Sequence, residues 1–219
     1  NKLTFGDSHA ISAWLEGSKC SRNDGLTLNG ALTRGFDGFI DEMEMTEIST
    51  IRFYLGNIDV RHHLCRLYPD RQKRLIETQR LAIRYIHEVL RVKNKYRIGY
   101  VGVVELLPIE HECRRLPKTG NYKGQPYWGT AEERMETRQV FNDTLKRLQK
   151  EMGGFTIIEW PSEYTHQTET TVSLDSLSGV FKTYPEKEIT FKPGMLRFDV
   201  MEKPHSVHIA PTYYLWSAV

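Results

Sequence analysis

A serine between an aspartate and a histidine lies near the start of the chain, in residues 6–9 (Gly-Asp-Ser-His). The apolar run at 3–5 predicts a β-strand directly before it, and the glycine lets the chain turn sharply where that strand ends. Ser8 is therefore expected at the carboxyl edge of a sheet, where open α/β folds bind their ligands. There it can act as a nucleophile if a histidine from another segment activates it. A helix N-cap is the structural alternative for this serine.

Residues 204–208 (Pro-His-Ser-Val-His) offer two histidines that could supply the base, His205 and His208. A third polar segment, residues 56–59 (Gly-Asn-Ile-Asp), follows an apolar run at 51–55. Asn57 could donate a hydrogen bond to the oxyanion that forms during acyl transfer. Taken singly, it is also compatible with a tight turn, and His208 with a hydrogen-bonded surface histidine. The presence of all three segments favours the functional interpretation.

These segments, in this order, resemble the sequence blocks of the SGNH (GDSL-type) hydrolase family. The serine block matches at 6–8, the asparagine block matches at 56–59, and the histidine block is similar at 206–211. The resemblance implies that Ser8 is the nucleophile and that His208 takes and returns its proton. It implies an esterase or acyl hydrolase that removes an O-acyl group from a small-molecule or carbohydrate ester, without a metal or cofactor.

The resemblance also implies an oxyanion hole formed by the Ser8 backbone N–H, a glycine N–H and the Asn57 side chain. Gly30 is the glycine that we assign to this role, with Gly35 and Gly38 close by in sequence. Removal of one such donor typically costs about 100- to 1,000-fold in rate.

The chain departs from the family at His205, where an aspartate usually stands three residues before the catalytic histidine. A histidine cannot supply the negative charge that steadies an imidazolium. Three interpretations are open: a Ser-His dyad, a carboxylate or carbonyl from elsewhere in the chain, or loss of hydrolysis. An SGNH-fold acyltransferase or a non-catalytic binding protein is therefore one alternative function.

Residues 7–9 (Asp-Ser-His) and the late histidines are also similar to motifs of calcineurin-like metallophosphoesterases, which hold two metal ions. Several features of that family are absent from the sequence. Ile58 stands where a histidine should follow the asparagine, the last two histidines are three residues apart instead of two, and Asp37 and Asp41 do not reproduce the second metal motif. This function is the second alternative.

Arg61 follows the asparagine block and could bind a carboxylate or phosphate of the substrate, since arginine suits bidentate recognition. An ion pair with Asp59 or Asp37 is the structural alternative. His9 and His205 are the other two residues that we expect to line a substrate site. Aromatic residues of the region 107–129 could either stack on a substrate or anchor their own loop: Tyr122, Tyr127 and Trp128.

The elements that must position these residues alternate between strand and helix, which predicts an α/β fold. We expect a three-layer α/β/α sandwich with a flavodoxin-like, mainly parallel five-stranded sheet. The predicted strands are residues 3–5, 25–30, 51–55, 98–104 and 155–160. The predicted helices are residues 10–16, 33–46, 69–92, 130–152 and 209–218. A long loop is expected at 107–129, and a polar elaboration with weak strand signals at 162–203.

The chain has 219 residues, which suits one SGNH hydrolase-like domain over 1–219. Its 30 basic and 28 acidic residues nearly balance, which argues against a bulk nucleic-acid scaffold. No apolar run approaches the ~20 residues that span a bilayer. The three cysteines are too few and too scattered for a disulfide framework or a zinc site. With a strand expected almost at residue 2 and no signal peptide, we predict a cytoplasmic protein.

Overall fold

A five-stranded, all-parallel sheet forms the centre of the computed structural model, which describes residues 1–110, 117–173, 188–202 and 206–215. The strands are β1 (Lys2–Gly6), β2 (Lys19–Arg22), β3 (Thr50–Tyr54), β4 (Tyr100–Val104) and β5 (Thr156–Ile158). Their order is β2-β1-β3-β4-β5, and each adjacent pair is parallel. This order confirms the predicted flavodoxin-like sheet, whose strands all end at the same edge.

Five α-helices accompany the sheet in the described residues. They are α1 (Leu28–Arg34), α2 (Glu42–Glu47), α3 (Leu64–Leu67), α4 (Arg71–Tyr96) and α5 (Ala131–Met152). The capping box predicted for α5 is present, because Thr130 Oγ1 accepts from Glu133 N and Glu133 Oε2 accepts from Thr130 N. The predicted helix 69–92 is confirmed as α4 and runs four residues further. None of these helices is both long and apolar enough to cross a membrane.

The two faces of the sheet belong to separate apolar clusters, because successive strand residues point to opposite sides. Phe53 and Val103 face a cluster that includes buried residues of α1, α4 and α5. Tyr54 and Val104 face the other side, together with buried residues from the last third of the chain. The third layer of the sandwich is therefore made of short 3-10 turns and extended segments, such as those at 10–13, 198–200 and 211–213.

The predicted second strand at 25–30 is wrong. β2 lies at Lys19–Arg22, and Leu28 instead begins α1. β2 is an edge strand whose residues are intermediate or exposed, so it lacks the apolar pattern of the inner strands. The predicted helix at 33–46 is divided, because Gly35 has φ +87° and ends α1. A 3-10 turn at Phe36–Phe39 and then α2 follow.

The region 162–203 contributes a two-stranded antiparallel sheet in its described part, β6 (Thr170–Ser173) with β7 (Glu188–Phe191). After β7, the chain packs Leu196, Val200 and Met201 beneath the second face of the main sheet. The helix predicted at 209–218 is present only as the 3-10 turn Pro211–Tyr213 within residues 206–215.

Candidate active site

The carboxyl ends of β1 and β3 bring the serine and asparagine segments together. Gly6 of β1 pairs with Tyr54 of β3, and a Cβ atom on Gly6 would lie only 2.2 Å from the Tyr54 carbonyl oxygen. The glycine is therefore required by the close approach of two backbones rather than by its φ angle. Gly56 follows β3 with φ +112°, a conformation that favours glycine. These two turns present Ser8 and Asn57 at the same edge.

Ser8 and His208 meet across the site, with His208 Nε2 3.0 Å from Ser8 Oγ. The segment that carries His208 is fixed on both sides, since Val207 and Ile209 are both buried and Ile209 belongs to the second apolar cluster. Two backbone hydrogen bonds also hold this segment: Glu202 N donates to His208 O at 2.9 Å, and Ala210 N donates to Val200 O at 2.8 Å. The structure thus brings together the two residues predicted as nucleophile and base.

His9 does not face a substrate as predicted, because it is only 1% exposed. Its Nδ1 lies 2.9 Å from Asp7 Oδ1, and its Nε2 lies 3.1 Å from the carbonyl oxygen of Val207. Its ring packs against that of His208 with centroids 4.7 Å apart. His9 is therefore a buried bridge between the serine segment and the histidine segment. His205 lies outside the described residues.

Asn57 is buried and its amide has one end engaged. Oδ1 accepts a hydrogen bond from Leu107 N at 3.1 Å. Nδ2 has no acceptor of ordinary geometry among the described residues. The nearby Tyr54 hydroxyl is also buried; burial and the Asp7 charge raise the pKa of Tyr54, and the Asn57 side chain opposes that rise. A buried N–H donor with no acceptor is unusual and suggests a functional role.

Arg61 is held in a buried ion pair, with its Nε donating to Glu110 Oε1 at 2.7 Å. The pair supports the structural alternative over substrate binding, but the partner is neither Asp59 nor Asp37. Burial raises the pKa of Glu110, but the charges of Arg61 and Arg134 outweigh it and lower that pKa to about 2. Glu110 was missed because no motif contains it, although a carboxylate in the largely apolar stretch 101–110 indicates a buried partner.

The oxyanion role predicted for Gly30 is not supported. Gly30 lies in α1, where its N–H donates to Thr27 Oγ1 at 3.0 Å as part of the N-terminal cap. Asp59 completes this cap by accepting from Leu28 N at 2.7 Å and Asn29 N at 3.2 Å. Burial raises the pKa of Asp59 to about 6, and these two backbone donors oppose the rise. The segment 56–59 therefore serves both the site and the start of a helix.

The loop aromatic Tyr122 is anchored on the two histidines that follow Arg61. Its ring stacks on His62 with centroids 4.0 Å apart, and its hydroxyl lies 2.8 Å from His63 Nε2. Burial lowers the pKa of His63, and the Arg66 charge adds to that effect. Tyr127 lies beneath the Arg134 guanidinium at 4.2 Å. These contacts give Tyr122 and Tyr127 anchoring roles in the loop.

Within residues 1–110, 117–173, 188–202 and 206–215, no group of three or more His, Cys, Asp or Glu side chains is arranged to hold a metal ion. Asp7 and His9, which a metallophosphoesterase would use as metal ligands, are in hydrogen-bond contact with each other. This edge of the sheet presents the Ser8 hydroxyl, the His208 imidazole and the Asn57 side-chain amide.

No model of a known protein family matches the chain, and no curated protein matches it. Among solved structures, the chain is similar to the crystal structure of phospholipase A1 from Streptomyces albidoflavus NA297, with a TM-score of 0.39 and 10% sequence identity. The alignment covers 71% of this chain and 77% of that chain. A likeness at this level says nothing about activity.

Proposed function

We propose that the protein is a serine esterase or acyl hydrolase that removes an O-acyl group from a small-molecule or carbohydrate ester. The 3.0 Å approach of His208 Nε2 to Ser8 Oγ is the observation that carries this proposal. A nucleophile and a base within hydrogen-bond reach are the minimum requirement for covalent acyl transfer.

In the proposed reaction the Ser8 hydroxyl donates to His208 Nε2, so that nitrogen is unprotonated and Nδ1 carries the ring proton. Ser8 Oγ attacks the acyl carbonyl carbon while its proton passes to Nε2. The alcohol leaves with that proton, and the acyl group remains on Ser8. Water then attacks the acyl-enzyme, loses its proton to Nε2, and releases the acid as the proton returns to Ser8.

The oxyanion formed at each step needs donors that already point at it. Asn57 Nδ2 and the Ser8 backbone N–H are the donors that we assign to this role. Asn57 Nδ2 has no acceptor of ordinary geometry among the described residues, and the other end of the amide is fixed by Leu107 N, which supports the assignment.

A fluorophosphonate probe, which reacts with activated serines, tests the proposal directly. We expect the wild-type protein to be labelled and Ser8→Ala to be unlabelled, because the reactive oxygen is then gone. Ser162→Ala is the matched control, since Ser162 is an exposed serine in the 3-10 turn Ser162–Tyr164. It should label at the wild-type rate.

Three other outcomes would each replace the proposal. Absence of labelling, with phosphate-ester hydrolysis that a chelator abolishes, would establish the metallophosphoesterase alternative. Labelling at Ser8 with acyl transfer to an added alcohol, but no release of free acid, would establish an acyltransferase. Absence of labelling with neither activity would leave a non-catalytic binding protein.

A further inference from the structure

Asp7 and His9 flank the serine and form a buried pair directly behind it. Asp7 Oδ1 accepts from the His9 backbone N–H at 2.8 Å and lies 2.9 Å from His9 Nδ1. Asp7 is 0% exposed and His9 is 1% exposed. Since an ionised carboxylate only accepts hydrogen bonds, this contact places a proton on Nδ1 and fixes the plane of the ring.

The other nitrogen of the same ring reaches the segment that carries the base. His9 Nε2 lies 3.1 Å from the carbonyl oxygen of Val207, the residue directly before His208. A carbonyl oxygen only accepts, so this contact requires a hydrogen on Nε2 as well as the one on Nδ1. The ring then donates from both nitrogens and ties the peptide between Val207 and His208 to residues 7–9. The two residues joined by this contact, His9 and Val207, are 198 positions apart in sequence.

Two further contacts restrict the position of the His9 ring. It packs against the His208 ring, with centroids 4.7 Å apart and planes inclined by 56°. Arg61 Nη2 also lies 3.4 Å from His9 Nε2 and is itself held by Glu110. Since a guanidinium only donates, Arg61 packs beside the Nε2–H without a hydrogen bond to it. The ring therefore cannot turn without breaking its contact with Asp7, with Val207 or with His208.

We propose that His9 is a positioning residue for His208: oriented by Asp7, it holds the Val207 carbonyl and so keeps His208 Nε2 within reach of Ser8 Oγ. This inference rests on the proposed function for its catalytic meaning. His9 thus orients the His208 segment from the serine side of the site. An imidazole that is already in place avoids the loss of about 100-fold that a misplacement of 1 Å can cause.

Substitution of His9 by Gln and by Asn separates the two contacts of the ring. The Gln amide nitrogen occupies approximately the place of Nε2 and can still donate to the Val207 carbonyl. The Asn amide nitrogen occupies approximately the place of Nδ1, so His9→Asn keeps only the contact with Asp7. Ser12→Ala is the control, because buried Ser12 bonds to the His9 carbonyl oxygen at 2.6 Å and leaves the ring contacts intact.

We expect His9→Asn to lower kcat and the fluorophosphonate labelling rate by about 10- to 100-fold with KM nearly unchanged, because only the alignment of the reacting groups is lost. His9→Gln should keep both rates within a few-fold of wild type, and Ser12→Ala should not lower them. Equal losses in His9→Asn and His9→Gln, or in Ser12→Ala, would overturn the proposal, since a general packing defect would then explain them.

The ring ¹⁵N resonances of His208 give a readout that needs no turnover. In Ser8→Ala they report the ring without its serine partner. We expect His9→Asn to move the His208 resonances toward their values in Ser8→Ala. We expect His9→Gln to leave them as in wild type. Unchanged resonances in His9→Asn would overturn the positioning role. If wild type is unlabelled by the probe but the resonances still depend on His9, the esterase proposal fails and the positioning role stands.

Discussion

The two ends of the Asn57 amide meet different neighbours. Oδ1 accepts from Leu107 N, which ties the turn after β3 to the loop after β4. Within the described part of the chain, Nδ2 has no acceptor of ordinary geometry. Asn142 is a useful comparison, because its Oδ1 accepts from Leu106 N at 2.9 Å and its Nδ2 lies 3.4 Å from the Leu106 carbonyl oxygen. Among the described residues, the Asn142 amide is thus engaged at both ends, and the Asn57 amide at its oxygen.

We expect Asn57→Ala to lower kcat by about 100- to 1,000-fold, because the proposed oxyanion donor is removed. The loss of the bond to Leu107 should also reduce the free energy of unfolding by about 1 kcal/mol. Steady-state kinetics with a short-chain acyl ester and urea denaturation measure the two effects. Asn142→Ala should cost a similar amount of stability with kcat unchanged. A parallel loss of kcat in both variants would show that Asn57 is only a structural turn residue.

At the residue scale, the sequence identified Ser8 and His208 as partners, and the structure places them in contact. Motif order was sufficient for this pair because Ser8 follows an apolar run and His208 lies within the histidine block at 206–211. The role of His9 could not be predicted, since it depends on a backbone carbonyl 198 positions away. The partner of Arg61 was missed for a related reason: Glu110 lies in a loop that has no periodic pattern.

At the element scale, the close pairing of β1 with β3 makes the turn before Ser8 possible. The carbonyl of Tyr54 occupies the space that a side chain at position 6 would need. The same carbonyl accepts from Asp7 N at 3.2 Å, so the first residue after the strand is fixed by the neighbouring strand. The position of Ser8 therefore depends on how tightly these two strands approach.

Gly6→Ala should reduce the free energy of unfolding by at least about 2 kcal/mol, because the new methyl group forces the β1 and β3 backbones apart. Gly99→Ala is the control: it lies just before β4, and a Cβ there meets the Ser49 carbonyl oxygen only at 3.4 Å. Thermal and urea unfolding of both variants measure the difference. Equal stability of the two variants would contradict the close approach that we describe.

The inner strands and the two long helices could be predicted because their apolar residues recur with the period of their secondary structure. β2 could not, since an edge strand of sequence Lys-Cys-Ser-Arg buries no continuous face. The N-terminus of α1 could not be predicted from the sequence for another reason. Its N-terminal N–H groups are capped partly by Asp59, which is distant in sequence and close only in the folded chain.

At the scale of the whole molecule, the buried pair of Arg61 and Glu110 makes stability depend on pH. The folded state lowers the pKa of Glu110 to about 2, whereas an unfolded glutamate titrates near 4.3. The stabilisation is therefore fully present above about pH 4.3 and is lost as the pH falls toward 2. Asp59 acts in the opposite sense, because its raised pKa of about 6 costs stability as the pH rises from about 4 to 6.

Glu110→Gln isolates the first effect. At pH 6 to 7 we expect the variant to be less stable than wild type by about 3 kcal/mol, because Arg61 is left buried without its anion. This difference should shrink by up to about 3 kcal/mol between pH 4.3 and 2, since only wild type loses the charge. Urea denaturation across this range measures it. Glu136→Gln, which breaks the exposed pair with Arg71, should change stability by less than about 1 kcal/mol.

A constant difference between wild type and Glu110→Gln at all pH values would show that the Glu110 carboxyl does not titrate as its surroundings imply. A pH dependence of equal size in Glu136→Gln would assign the effect to general charge repulsion in acid instead.

The contact between Ser8 and His208 joins residues 200 positions apart. Closing so long a loop carries a chain-entropy cost. The helices α4 and α5 form without this cost, because their hydrogen bonds join neighbouring residues. The helical layer can therefore assemble before the reactive pair exists. The contact between Ser8 and His208 then forms late in folding, and a collapsed chain that has not yet docked residues 206–215 lacks it. In the proposed mechanism, Ser8 can therefore be activated only after residues 206–215 have docked against the first strand-to-helix turn.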